Sequence, residues 1–252
     1  MKELSRKVKD IKPSGIRKFF DLANTMEGVI SLGVGEPDFN TPWHICENAI
    51  YSMSQEKTHY TANRGLLELR QEICKFHKTR YNQNYDPETE TLVTVGGSEA
   101  IDIAFRALLN PGDEVIMLDP NYVAYAPAVE LADGKCVMIQ LKEENDFKLL
   151  PEDLKNAITD KTKALMINFP SNPTGGVMTY EDYEKLVPII KESGIYVISD
   201  EIYAELSFDQ EFASLAQFEE IRDQVIVING FSKAFAMTGW RLGYVLSNKE
   251  IS

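Results

Sequence analysis

The chain has 252 residues, 44% of them hydrophobic and 26% charged, with 39 Asp and Glu against 26 Lys and Arg for a formal net charge of −13. Such a composition folds around a core, which excludes a disordered or fibrous protein. Its acidity works against a nucleic-acid interface or an anionic membrane surface, both of which need clustered cations.

By length, one large α/β domain or two small ones are expected. The first ten residues are charged throughout and contain no apolar core, so no secretory signal is expected there. No apolar run approaches the ~20 residues that cross a bilayer. Cys46, Cys74 and Cys136 are far apart and lack the close pairing of a zinc or redox motif. Reduced thiols in a cytoplasmic protein are the expectation.

In chain order, a mixed N-terminal segment covers residues 1–45, and a single domain is expected over 46–252. Arg64 to Tyr81 places Leu66, Leu69, Ile73 and Phe76 on one face at helical spacing. Leu92 to Val95 reads as the first strand, and Ser98 to Leu109 as a second helix. Glu114 to Leu118, Lys135 to Leu141 and Lys163 to Asn168 are further strands. Thr179 with Asp182 forms a capping-box pattern that opens a third helix ending around Ser193-Gly194. Ile195 to Ser199, Val225 to Ile228 and Gly243 to Leu246 complete seven strands, most of them apolar enough for burial on both faces. Alternation of strand and helix predicts a three-layer αβα fold around a mainly parallel seven-stranded sheet.

Ligands of such a sheet collect beyond the carboxyl ends of its strands. The polar residues cluster at those ends: Gly96-Gly97-Ser98, Pro120-Asn121-Tyr122, Pro170-Ser171-Asn172-Pro173-Thr174-Gly175, Asp200-Glu201-Ile202-Tyr203 and Ser232-Lys233. Gly96-Gly97-Ser98 leads from a strand into a helix whose free N–H groups and positive dipole end suit a phosphate. It lacks the lysine of a nucleotide P-loop and the spacing of a dinucleotide motif, and a tight turn capped by Ser98 would read the same way. Gly33-Val34-Gly35 is a weaker signal, since Glu36-Pro37-Asp38 follows it and no helix does. Lys233 sits in an apolar stretch with Arg241 downstream. A desolvated lysine has a depressed pKa and can attack a carbonyl to form a Schiff base, while an arginine offers a permanent planar charge for a phosphate.

With these motifs in this order, and with Gly35-Glu36-Pro37-Asp38-Phe39 and Tyr60 ahead of them, the chain resembles a fold-type I pyridoxal-phosphate enzyme of the class I/II aminotransferase family. General similarity points to the bacterial aminotransferase A and N-acetyl-diaminopimelate aminotransferase type. The resemblance implies that 46–252 is the pyridoxal-phosphate-binding large domain. It implies transamination between an amino acid and a 2-oxo acid, with Lys233 holding the cofactor as a Schiff base and shuttling the proton at the substrate Cα. By the same resemblance Asp200 faces the pyridine nitrogen, Tyr203 and Asn172 bond the phenolic oxygen, and Tyr122 stacks on the ring. Gly97, Ser98, Ser232 and Arg241 hold the phosphate, Gly35 and Asn172 meet the substrate, and Tyr60 reaches the phosphate of a neighbouring subunit in a homodimer.

Two departures from the family stand out. Gly230 occupies a position where many members carry a phosphate-binding serine. The family's C-terminal small domain, with the arginine that grips the substrate carboxylate, is expected to be missing after Ser252. A pyridoxal-phosphate-dependent C–S β-lyase uses the same cofactor residues, and a cofactor-binding fragment without full activity would also show them.

Overall fold

The computed structural model describes residues 2–11, 22, 25, 26, 28 and 35–252; Gly33 and Val34 lie outside this set. Seven short runs rich in Val, Ile, Leu and Met form strands β1 (Thr91–Thr94), β2 (Glu114–Asp119), β3 (Lys135–Gln140), β4 (Thr162–Asn168), β5 (Tyr196–Asp200), β6 (Val225–Gly230) and β7 (Gly243–Leu246). They make one sheet in the order β1-β7-β6-β5-β4-β2-β3. Only β7 runs against its neighbours, pairing antiparallel with both β1 and β6. Successive side chains of a strand point to opposite faces, so β5 and β6 send Val197, Val225 and Val227 into one core and Ile198, Ile226 and Ile228 into the other. Two apolar layers on one sheet are the three-layer αβα arrangement expected from the sequence.

The helices described, in chain order, are α1 (Arg6–Asp10), α2 (Trp43–Ser54), α3 (Leu67–Tyr81), α4 (Gly97–Leu108), α5 (Tyr125–Leu131), α6 (Pro151–Ala157), α7 (Tyr180–Glu184) and α8 (Val187–Ser193). α4 and α5 cover one face through Ala100, Ile101, Ala104, Phe105 and Val129, while α3, α7 and α8 cover the other through Ile73, Tyr183, Val187 and Ile190. The division drawn at residue 45 falls inside α2.

Two local expectations need correcting. The single helix expected from Thr179 to Ser193 is two helices. The capping box forms as read, with Thr179 Oγ1 accepting the Asp182 N–H and Asp182 Oδ2 accepting the Thr179 N–H. Pro188 then lacks an N–H and its ring crowds the carbonyl four residues back, which belongs to Glu184, where α7 ends. On α3, Leu66 is the exposed residue before the first turn, and the buried face is Arg70, Ile73, Cys74, His77 and Tyr81. His77 is tolerated there because its ring nitrogens lie 2.8 Å from Gln83 Oε1 and 2.9 Å from the Tyr244 hydroxyl oxygen. Burial pushes its pKa down to about 4, so it stays neutral.

Candidate active site

The carboxyl edge of the sheet gathers the candidate residues. β1 passes into α4 through Gly96, whose φ of +79° and ψ of 170° lie in a region that only glycine enters freely. A Cβ there would stand 2.5 Å from Arg241 Nη2. The guanidinium is therefore laid against the turn that opens α4, where the first N–H groups of a 12-residue helix are free. Arg241 Nη1 donates to the Thr238 carbonyl at 2.9 Å, which fixes its direction. β7 supports the turn from behind, since a Cβ on Gly243 would come within 2.6 Å of the Gly96 carbonyl carbon. A fixed cation beside free N–H donors is an anion cradle. Gly97 is the first residue of α4 and Ser98 the second; Ser98 is exposed and makes no capping bond, so its hydroxyl is open. Gly96→Ala is expected to cost about 1–3 kcal/mol of backbone strain and to displace Arg241. Calorimetric titration with inorganic phosphate should then show weaker binding than in the parent protein.

The segment 35–42 is pinned across this edge. Thr41 Oγ1 donates to the Ala236 carbonyl at 2.5 Å, Trp240 Nε1 donates to Thr41 Oγ1 at 3.1 Å, and the Thr238 hydroxyl donates to Glu36. That brings Gly35 to Lys233, whose Nζ donates to the Gly35 carbonyl at 2.5 Å and lies 5.9 Å from the centre of the Tyr203 ring. Burial lowers the Lys233 pKa, Glu36 opposes this, and the Arg241 charge adds to the lowering. The result is an amine more readily deprotonated than a surface lysine. An open cavity of about 680 Å³ between Gly35–Asn40 and Leu206–Phe208 gives access to it.

Asp200 ends β5 and is 6% exposed. Burial pushes its pKa up to about 6, against two hydrogen bonds that favour the charge: Oδ2 accepts from the Tyr125 hydroxyl at 2.7 Å and Oδ1 accepts the Ile202 N–H at 3.2 Å. Asn172 Nδ2 donates to the Tyr203 hydroxyl oxygen at 3.4 Å. Gly35 closes the group, for a Cβ on it would be 3.9 Å from that same oxygen. Lys233, Tyr203, Asn172, Gly35 and Asp200 are thus brought to one site, with Gly96, Gly97 and Arg241 beside it.

The remaining candidates are placed differently. Tyr122 is half-exposed and meets Tyr125 edge-on, with ring centres 5.5 Å apart at 81°; the ring that touches Asp200 is Tyr125. Ser232 is buried next to Lys233, and its carbonyl accepts the Met237 N–H at 3.1 Å. Tyr60 is fully exposed and makes no hydrogen bond within the chain among the described residues. Gly230 is closely packed: a Cβ there would be 3.0 Å from both Gly243 Cα and the Leu242 carbonyl oxygen, so a larger residue would need its neighbours to give by a few tenths of an ångström.

Sequence reasoning missed Asn168, Glu201 and the role of Tyr125. Glu201 is fully buried behind Asp200, where Oε1 accepts from the hydroxyls of Ser199 at 2.9 Å and Ser214 at 2.5 Å. Burial pushes its pKa up to about 7. Among the described residues no group of His, Cys, Asp and Glu is arranged to hold a metal ion.

A lysine amine, a buried carboxylate and an anion cradle on the carboxyl edge of a seven-stranded αβα sheet define a site for a small phosphorylated carbonyl compound. Residues 27–252 match the family aminotransferase class I and II. The chain is 52% identical over 241 residues to YugH of Bacillus subtilis (strain 168), a protein named as an aminotransferase, covering 96% of this chain and 62% of YugH. It is 47% identical to aspartate aminotransferase of Pyrococcus abyssi, with 93% of this chain and 61% of that protein covered. Among solved structures, aspartate aminotransferase from Thermus thermophilus with maleate superimposes with a TM-score of 0.94 at 40% identity, covering all of this chain and 66% of that one. The chain belongs to the class I and II aminotransferase family, and it spans a little over three-fifths of the length of these relatives.

Pyridoxal phosphate is the cofactor of this family, and the residues present fit it. At the Gly96 turn the absence of a Cβ lets the Arg241 guanidinium lie against the opening of α4, a donor set suited to a phosphate. Lys233 is an amine that could take the aldehyde, and Asp200 is a buried carboxylate suited to a ring cation.

Proposed function

We propose that the protein is a pyridoxal-phosphate-dependent aminotransferase that moves an amino group between an amino acid and a 2-oxo acid. The observation that carries this reading is Lys233, a partly desolvated amine held within reach of Gly35 and Tyr203 beside the Gly96–Arg241 cradle. When bound, the cofactor supplies an electron sink for the pair left at the substrate Cα.

The chain's own residues would do the rest. Gly97, Ser98, Ser232 and Arg241 would hold the phosphate. Asp200, kept ionised by the Tyr125 hydroxyl and the Ile202 N–H, would keep a proton on the pyridine nitrogen. Asn172 and Tyr203 would bond the phenolic oxygen, and Tyr122, half-exposed at the rim, would cover a ring face. Lys233 Nζ would take the proton from the substrate Cα as general base, and Gly35 would line the substrate side. The test is a panel of amino acids assayed with 2-oxoglutarate. New keto and amino products in equal amounts support the reading; pyruvate release from cystathionine without an acceptor would support a lyase instead.

A homodimer belongs to the same proposal. Tyr60 is wholly exposed, and α2 has no buried residue, leaving Trp43, Ile50 and Met53 in solvent. A second copy would cover such apolar surface, and Tyr60 would reach the partner's phosphate. If so, mixing Tyr60→Ala subunits with Lys233→Ala subunits should restore cofactor binding at one site per mixed dimer, measured by equilibrium dialysis. No restoration would contradict shared sites. For its location we propose the cytoplasm. None of the three cysteines is in a disulfide, and among the described residues no helix is long and apolar enough to cross a membrane.

A further inference from the structure

Asn168 ends β4 on the last rung of the parallel ladder, opposite Asp200 of β5. It is 7% exposed, and its amide is used at both ends. Nδ2 donates to the Asp200 carbonyl at 2.8 Å, and Oδ1 accepts the Asn172 N–H at 3.0 Å. One buried side chain therefore ties the strand end that carries Asp200 to the loop that carries Asn172. Neither bond extends the sheet, and both partners belong to the candidate site. The apolar residues that pack β4 precede Asn168: Ala164 and Met166 on one face, Leu165 and Ile167 on the other.

We propose that Asn168 is a positioning residue that fixes the separation of Asp200 and Asn172, and through them sets how tightly the cofactor is held and at what pH it changes ionisation. The proposal rests on the cofactor reading above. Asp200 and Asn172 would address two different edges of one rigid ring, so their spacing has to match the ring. Groups in such a constellation tolerate displacements of only ~0.5 Å. Among the described residues Tyr203 is the one other side chain bonded to Asn172, at 3.4 Å, and it makes no hydrogen bond to Asp200. Without the Asn168 amide, the buried Asp200 carbonyl and the part-buried Asn172 N–H lose this partner, and the two edges drift independently.

Two variants of the protein at its natural length test this. Asn168→Asp keeps the size and the acceptor for the Asn172 N–H, but sets an oxygen against the Asp200 carbonyl. Asn168→Ser breaks both bonds without a buried charge and serves if the first variant folds poorly. Each is titrated with pyridoxal phosphate to give a dissociation constant, and the visible absorbance of the lysine-bound cofactor is followed against pH. Thermal melting of the cofactor-free protein is the control for folding. About tenfold weaker binding, a midpoint moved by about half a pH unit or more, and a control within a few degrees of the parent are expected.

Parent-like affinity and midpoint in both variants would overturn the proposal. Weaker binding with an unmoved midpoint would also overturn it, since a merely structural role gives that pattern. A parent protein that takes up no pyridoxal phosphate overturns the cofactor reading itself, which separates the two failures.

Discussion

Lys233→Ala is expected to remove the visible absorbance of the lysine-bound cofactor and to lower amino transfer by about 10⁴-fold, about 5 kcal/mol of barrier. The size follows from the lack of a substitute among the described residues. Lys233 is the amine that the structure holds against Gly35 and Tyr203, and the neighbouring Arg241 cannot give up its proton to act as a base. The fold should survive. The native environment disfavours the charged amine, as its lowered pKa shows, so removing it relieves a desolvation cost and loses one bond to a backbone carbonyl. A melting temperature equal to the parent's, with activity gone, is the expected pair of results. A variant that keeps both absorbance and turnover would contradict the assigned role.

Asp200→Asn should follow with a loss of about 10²–10³-fold in turnover, the usual scale for removing one preorganised charge from a reacting centre. The amide keeps the shape and can still accept a bond from Tyr125, but it cannot hold a proton on a ring nitrogen. The pH dependence gives the sign. Asp200 has a folded pKa of about 6, raised from 3.8 by burial, so the useful carboxylate is present above pH 6 and is lost as pH falls through it. Binding of pyridoxal phosphate to the parent should weaken on that acid limb, and the limb should flatten in Asp200→Asn. Spectrophotometric titration between pH 5 and 8 would measure both.

The sheet was legible because its signal is burial. Strands covered on both faces must be apolar along their length, and all seven runs became strands with ends shifted by only a residue or two. The site was legible because strand ends converge by topology: Gly97, Asn172, Asp200 and Lys233 each follow or close a strand, so naming the strands already placed them together. What escaped depends on contacts that periodicity does not encode. The Pro188 break was in the sequence, but the hydrophobic pattern ran through it. Leu66 fitted a helical stripe, yet it precedes the helix and is 53% exposed, while Arg70 and His77 take the buried face by satisfying their polar atoms. Tyr122 and Tyr125 are both near Pro120, and only the direction of each ring decides which meets Asp200. Asn168 reads as the polar end of an apolar strand, and nothing local marks its two-sided bond. Glu201 stood in a motif whose chemistry was credited to its neighbour.

Whether Lys233 is the residue that holds the cofactor is measured directly by chemical fixation. The protein is loaded with pyridoxal phosphate, reduced with borohydride, digested, and its peptides are sequenced by mass spectrometry. One pyridoxyl group per chain, on the peptide containing Lys233, is the result predicted here. A label on a different lysine, or none after loading, would contradict it.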